Sequence, residues 1–118
     1  MARAATTTDV FNAVAEPQRR AILDQLDGGE RSVSELVARL GLAQPQVSKH
    51  LRVLREVDAV AVREVGRQRL YSVNARALKP IHDWVSRYEQ MWAQRFAALD
   101  TVLEELTREE GNDAGDHL

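Results

Sequence analysis

Ser32-Val33-Ser34-Glu35-Leu36-Val37-Ala38-Arg39-Leu40-Gly41-Leu42-Ala43-Gln44-Pro45-Gln46-Val47-Ser48-Lys49-His50-Leu51-Arg52-Val53-Leu54 is the stretch that decides the fold. Val33, Leu36, Val37 and Leu40 recur at i, i+3, i+4 and i+7, the spacing of one buried helical face. Ser32 and Glu35 form an S-x-x-E pair that marks the helix start. Gly41 allows the left-handed residue that ends a helix, and Leu42 plugs the turn. A second helix follows, with Pro45 in its first turn and Val47, Leu51 and Leu54 on its inner side. Gln44, Gln46, Ser48, Lys49, His50 and Arg52 are left for its outer side, the residue types that read base edges or grip phosphates.

Downstream, Val60 and Val62 alternate with smaller or polar residues, Gly66 marks a turn, and Leu70-Tyr71-Ser72-Val73 returns as a strand. Arg63, Arg67 and Arg69 flank that turn. Helix, turn, helix and basic hairpin make a mainly α fold with a small β-hairpin, the winged helix-turn-helix. A polar helix face by itself commonly meets only water. The hairpin and the local charge favour nucleic-acid binding over an ordinary helical hairpin.

The whole chain of 118 residues carries a formal charge of −2. Residues 31–76 nevertheless hold nine Lys/Arg against four acids, a balance of +5, while both flanks are acidic. Positive charge lies where the motif lies, as a nucleic-acid footprint requires. Cysteine is absent, which excludes disulfides, thiolate metal sites and cysteine nucleophiles. The length suits one domain over 1–110, with 111–118 as a flexible acidic tail. Met1-Ala2-Arg3-Ala4-Ala5-Thr6 lacks the apolar run of a signal peptide, and no segment reaches membrane-spanning length. A cytoplasmic protein without membrane contact is expected.

Val10, Phe11 and Val14 predict a helix over Thr7–Ala15. Pro17 opens another, with Ile22, Leu23 and Leu26 inward, until Gly28-Gly29 stops it. Pro80 opens a long helix running to Glu109. Two apolar registers repeat along it every seven residues: Val85/Trp92/Leu99/Leu106, and Ile81/Tyr88/Val102 with Arg95 interrupting. At ~1.5 Å per residue it exceeds the ~30 Å span of a small domain. A second copy is the simplest cover, so a homodimer is expected through the N- and C-terminal helices (7–15 and 80–109). Its interface would hold Val10, Phe11, Val85, Tyr88, Trp92, Leu99, Val102 and Leu106. Two recognition helices related by a two-fold axis would then meet successive major grooves of a palindromic operator.

With these elements placed, the chain resembles the ArsR/SmtB family of bacterial winged-helix repressors. The resemblance spans about residues 8–105 and rests on Ala15-Glu16-Pro17-Gln18-Arg19-Arg20-Ala21-Ile22-Leu23, Ser34-Glu35-Leu36, the segment from Leu42 to Leu54, and Val65-Gly66-Arg67-Gln68-Arg69-Leu70-Tyr71. It implies a dimeric repressor that occupies a promoter operator and releases it on a signal. Ala43 stands where the family often has a Ser cap, and losing that acceptor costs about 1 kcal/mol of local helix stability.

The family's metal sensors use Cys in the first helix of the motif, absent here, or Asp, His and Glu along the last helix. His82 and Asp83 are adjacent, and the family spacing forward from Asp83 lands on Val85, Phe96 and Leu99, all apolar. No metal, cofactor or inducer is therefore assigned. A metal-sensing repressor with last-helix ligands is the alternative within the family, and a winged-helix module for protein contacts is the alternative outside it. Glu104-Glu105 and Glu109-Glu110 read as a solvated charge run, and no nucleophile–base pair or phosphate loop points to an enzyme.

Overall fold

The elements follow one another in the expected order in a computed structural model that describes residues 9–116. α1 (Val10–Val14) is capped by Asp9, whose carboxylate accepts from the Asn12 N–H at 2.8 Å. Residues 7 and 8 of the expected first helix lie outside the described residues. α2 (Pro17–Leu26) starts on a proline, where no intrahelical N–H is needed. Arg19 donates to the Ala13 carbonyl, and Arg20 to those of Val14 and Ala15 at 2.7 and 3.1 Å. The open C-terminal carbonyls of α1 are thereby satisfied by the next helix.

α3 (Val33–Leu40) has both halves of its capping box: Ser32 Oγ accepts from the Glu35 N–H at 3.2 Å, and Glu35 Oε1 from the Ser32 N–H at 3.1 Å. Gly41, at φ 67°, ends it in the left-handed conformation. α4 (Gln44–Glu56) starts after Ala43, which has no side-chain acceptor to offer. The reciprocal bond survives, because Gln46 Oε1 accepts from the Ala43 N–H at 3.2 Å. Past its end, Asp58 takes φ 60°, a conformation that Asp tolerates better than most residues. Asn74 fixes that turn by donating from Nδ2 to the Asp58 carbonyl at 2.8 Å.

β1 (Val60–Val65) and β2 (Gln68–Val73) pair antiparallel, with Val62 opposite Tyr71 and Glu64 opposite Arg69. Gly66 and Arg67 form the two-residue turn, and Gly66 supplies its left-handed φ of 63°. Arg31 and Tyr71 exchange backbone hydrogen bonds of 3.0 and 2.9 Å, which stitches the entry of α3 to the hairpin. One core results, built from Ala13, Ile22, Leu26, Leu36, Val47, Leu51, Leu54, Ala59, Val60 and Tyr71. Every helix from α1 to α4 and both strands contribute to it.

The chain divides into two compact units at Ile81/His82, where one unit over 1–110 was expected. The single expected helix from Pro80 to Glu109 is two, preceded by a 3₁₀ turn at Ala75–Leu78. α5 (Lys79–Ser86) stops at Arg87, and α6 (Glu89–Asp116) restarts. At the break Arg87 and Tyr88 donate three residues back, to Trp84 and Val85 carbonyls at 3.3 and 2.9 Å. Ser86 Oγ also donates to the His82 carbonyl at 2.7 Å, a back-bond of the kind that bends helices. α6 continues through Gly111 to Asp116, past the expected end at Glu109, since a lone glycine costs only about 1 kcal/mol in a helix. Residues 117 and 118, including His117, lie outside the described residues. Among the described residues none beyond Tyr71 is buried.

Leu51 is 1% exposed and holds α4 to the core. Leu51→Ala is expected to lower the unfolding free energy by about 2–5 kcal/mol in a urea titration. A loss well under 1 kcal/mol means that α4 is anchored by something else.

Candidate nucleic-acid interface

Successive helical residues are about 100° apart, so burying Val47, Leu51 and Leu54 fixes where every other α4 side chain lies. Lys49 and Arg52, with Pro45 and Glu56, fall opposite the buried face and are exposed. Gln44, Gln46 and Ser48 are exposed too. The amide oxygen of Gln46 already caps the helix, which leaves its NH₂ group to donate outward.

His50 is not on the outer side where it was expected. Three residues after Val47 and one before Leu51, it sits at the edge of the buried face and is half-buried against α2. Its Nε2 lies 2.8 Å from Gln18 Oε1 and its Nδ1 3.4 Å from Arg19 Nη1. A guanidinium only donates, so Nδ1 accepts and the ring proton is on Nε2, donated to Gln18. Desolvation pushes the His50 pKa below its ordinary value; Arg19 and Lys49 push the same way, and Glu16 opposes them. His50 thus locks α4 onto α2 in its neutral form.

The three hairpin arginines have three different surroundings. Arg63 is exposed but held by Glu30, through Nε to Oε2 at 2.6 Å and Nη2 to Oε1 at 2.8 Å. The hydrogen bond, opposed by desolvation and aided by the Arg63 charge, holds the Glu30 carboxyl below the usual carboxylate range, and it raises the Arg63 guanidinium. Arg63 is therefore a clamp between the hairpin and the loop before α3, and not the free cation expected from its place beside the turn. Arg69 lies 3.7 Å from Glu64, a long exposed contact that holds it weakly. Arg67 stands at the exposed tip of the turn.

Alternation along β2 puts Arg69 on the same side as Tyr71, toward α4. There it lines a cleft with Ser48, Arg52 and Arg55. The outward set named from sequence omitted Arg55, although Ser48, Arg52 and Arg55 stand at i, i+4 and i+7 on one flank. The Glu30–Arg63 clamp joins residues 33 apart, and no local pattern announced it.

Of the expected interface residues, Val10 is turned into its own chain at 8% exposure, because α1 packs its Val10 and Ala13 side inward. Phe11, Tyr88, Trp92, Leu99, Val102 and Leu106 are exposed, while Val85 is half-buried. The break at Arg87–Tyr88 places Val85 on α5, so its heptad register does not run on into Trp92. His82 Nδ1 and Asp83 Oδ1 are 3.3 Å apart on α5, and no cluster of three or more potential metal ligands occurs among the described residues.

A helix-turn-helix with one basic outward face, followed by an arginine-bearing hairpin, defines a winged-helix DNA-binding transcriptional regulator. Residues 14–63 match a helix-turn-helix domain family. The HTH-type transcriptional regulator Rv2034 of Mycobacterium tuberculosis is 31% identical over 103 residues, covering 87% of this chain and 90% of that protein. A probable mercury resistance operon repressor of Streptomyces lividans is 36% identical over 95 residues, covering 80% of this chain and 74% of its own. An ArsR-like transcriptional regulator from Rhodococcus sp. RHA1 shares the fold with a TM-score of 0.63 at 29% identity, over 81% of this chain and 88% of that one. The chain belongs to the ArsR/SmtB family of winged helix-turn-helix regulators, and its fold and family are those of DNA-binding proteins, not of enzymes.

The lowered pKa of His50 makes stability pH-dependent with a definite sign. The unfolded chain takes up its proton near pH ~6.5 and the folded chain only below that. The His50 contribution is therefore full above that pH and is lost as pH falls through it. Thermal unfolding followed from pH 7.5 to 5.5 is expected to show a falling midpoint that His50→Gln flattens. An equal fall in both proteins assigns the effect to other groups.

Proposed function

We propose that the protein is a homodimeric repressor that places one α4 helix in each of two successive major grooves of a palindromic operator. The observation that carries this reading is the apolar seam of α6. Trp92, Phe96, Leu99, Leu103 and Leu106 alternate in steps of four and three, and all are 46–63% exposed. That is the spacing of a helix-pairing seam. Phe96 and Leu103, outside the interface drawn from the heptads, belong to it. Phe11 of α1, 41% exposed, is a second candidate contact.

On the DNA side, Lys49 and the free amide of Gln46 are the base readers, while Gln44, Ser48 and Arg52 lie toward the phosphates. Arg67 enters the minor groove or meets phosphate beside each half-site. Arg63 is removed from this set by its bond to Glu30, and His50 by its place against α2. The partners are thus double-stranded operator DNA and a second copy of the chain, in the cytoplasm where that DNA lies; no helix among the described residues is long and apolar enough to cross a membrane. The inducing signal is not a metal on this reading, because the described residues gather no group of three potential ligands around His82 and Asp83. The resistance to mercury in the Streptomyces lividans relative's name belongs to that protein.

Genome-wide footprinting supplies the promoter duplex for the tests. Trp92→Ala and Phe96→Ala are each expected to weaken the dimer by about 3–5 kcal/mol, seen as monomers in sedimentation at concentrations where the parent is dimeric. Promoter affinity falls with them, because a monomer brings one half-site's contacts. Folded monomers that bind the full promoter undiminished defeat the two-fold mechanism. Variants that stay dimeric move the interface to α1.

The wing makes a separate comparison. Arg67→Ala is expected to lower the slope of log affinity against log salt by roughly one, on any duplex. Arg63→Ala should leave that slope nearly unchanged, since its charge is spent on Glu30. The reverse order removes Arg67 from the DNA contacts.

A further inference from the structure

Ser48, Arg52 and Arg55 of α4 and Arg69 and Tyr71 of β2 line one open cleft of about 550 Å³, with Val33 and Glu56 completing its wall. Three cations face one carboxylate there. Neither Arg52 nor Arg55 has an ion-pair partner among the described residues, and Arg69 has only the long contact to exposed Glu64. Tyr71 adds an independent sign. It is 94% buried, at 6% exposure, and lines the cleft, yet its hydroxyl has no hydrogen-bond partner among the described residues. Because no buried side-chain N or O among the described residues lacks a partner, the residual exposure of Tyr71 lies at its hydroxyl, which opens to the cleft while the ring closes the core. Tyr71 thus keeps a donor in reserve beside three guanidinium groups and the Ser48 hydroxyl.

We propose that the cleft is a phosphate-binding subsite, in which Arg55, Arg69 and the Tyr71 hydroxyl grip one phosphodiester of the DNA backbone at each half-site. The chemistry is that of an oxyanion: tetrahedral, acceptor-rich and charged, met by several donors at once. The backbone is the favoured source because the cleft opens between α4 and the hairpin, the two elements read above as contacting DNA. The proposal rests on that reading and adds residues to it. Tyr71 carries two duties: its ring closes the core and its backbone pairs with Arg31. A contact made through Tyr71 therefore positions the DNA against the core of the domain, and not only against the tip of the hairpin.

Four measurements on the full chain test this. Tyr71→Phe keeps the ring and is expected to leave the unfolding midpoint unchanged while weakening promoter binding about tenfold, the loss of one hydrogen bond to a charged group. Arg55→Gln should reduce the salt slope by roughly one. Single methylphosphonate replacements along the duplex should then reveal one position per half-site that costs the parent affinity but costs Arg55→Gln nothing further, the mark of a direct partner. Inorganic phosphate, titrated at constant ionic strength, should not displace the duplex. Displacement at low millimolar phosphate overturns the backbone assignment in favour of a soluble phosphate ligand. Parent-like promoter binding by Tyr71→Phe, or additive losses at every methylphosphonate position, overturns the subsite while leaving DNA binding intact. A parent protein that binds no promoter duplex overturns both.

Discussion

The burial of one face of α4 is the constraint on which the rest depends. Val47, Leu51 and Leu54 are each at or below 1% exposure, against a core that also holds Ile22, Leu36 and Tyr71. With 3.6 residues per turn, that choice leaves no freedom in where Lys49, Arg52 or Arg55 lie. The outward chemistry of the helix is a by-product of its inward packing. His50 reinforces the same arrangement from the flank, through hydrogen bonds to Gln18 and Arg19 that require a neutral ring. Because Arg19 also closes the carbonyl end of α1, one guanidinium links three helices.

Charge in this protein is sorted by partner. Nine cations lie in the segment from Arg31 to Arg76, but they are not equivalent. Arg63 is consumed by Glu30, and Arg31 spends its Nε on the Gln25 carbonyl. Arg52 and Arg55 on α4 have no ion-pair partner among the described residues. An exposed ion pair contributes little to stability, so the Glu30 clamp matters more for fixing the hairpin against the entry to α3. The Arg31–Tyr71 backbone pairing does the same from the other strand, β2. A wing held at two points is a rigid carrier for its tip.

The C-terminal helices follow a different logic. α6 has 28 residues, about 42 Å at ~1.5 Å per residue. Among the described residues it buries none of its side chains, and its large apolar groups recur in steps of three and four. An apolar stripe of this length on a helix is unfavourable in water, because each half-exposed side chain forgoes part of the roughly 1.5–3 kcal/mol that full burial contributes. The break after Ser86 sets the seam's beginning at Trp92, which separates it from the half-buried Val85.

The sequence by itself determined the helix-turn-helix, its capping box, the Gly41 and Gly66 turns and the inner residues of each helix, because these depend on neighbours three or four residues away. It also located the positive charge and the apolar length of the C-terminal segment, and the family resemblance rested on the same residues. Only the tertiary structure decided which partners hold Arg63 and the one recognition-helix histidine. Glu30 with Arg63, and His50 with Gln18 and Arg19, are partners more than thirty residues apart, brought together by packing that no local period encodes. The split of the last helix was likewise invisible, since a serine back-bond competes with the helix by a margin too small for a heptad pattern to reveal. The cleft beside Tyr71 exists only where α4 and β2 face each other, and that distance is set by the core beneath them.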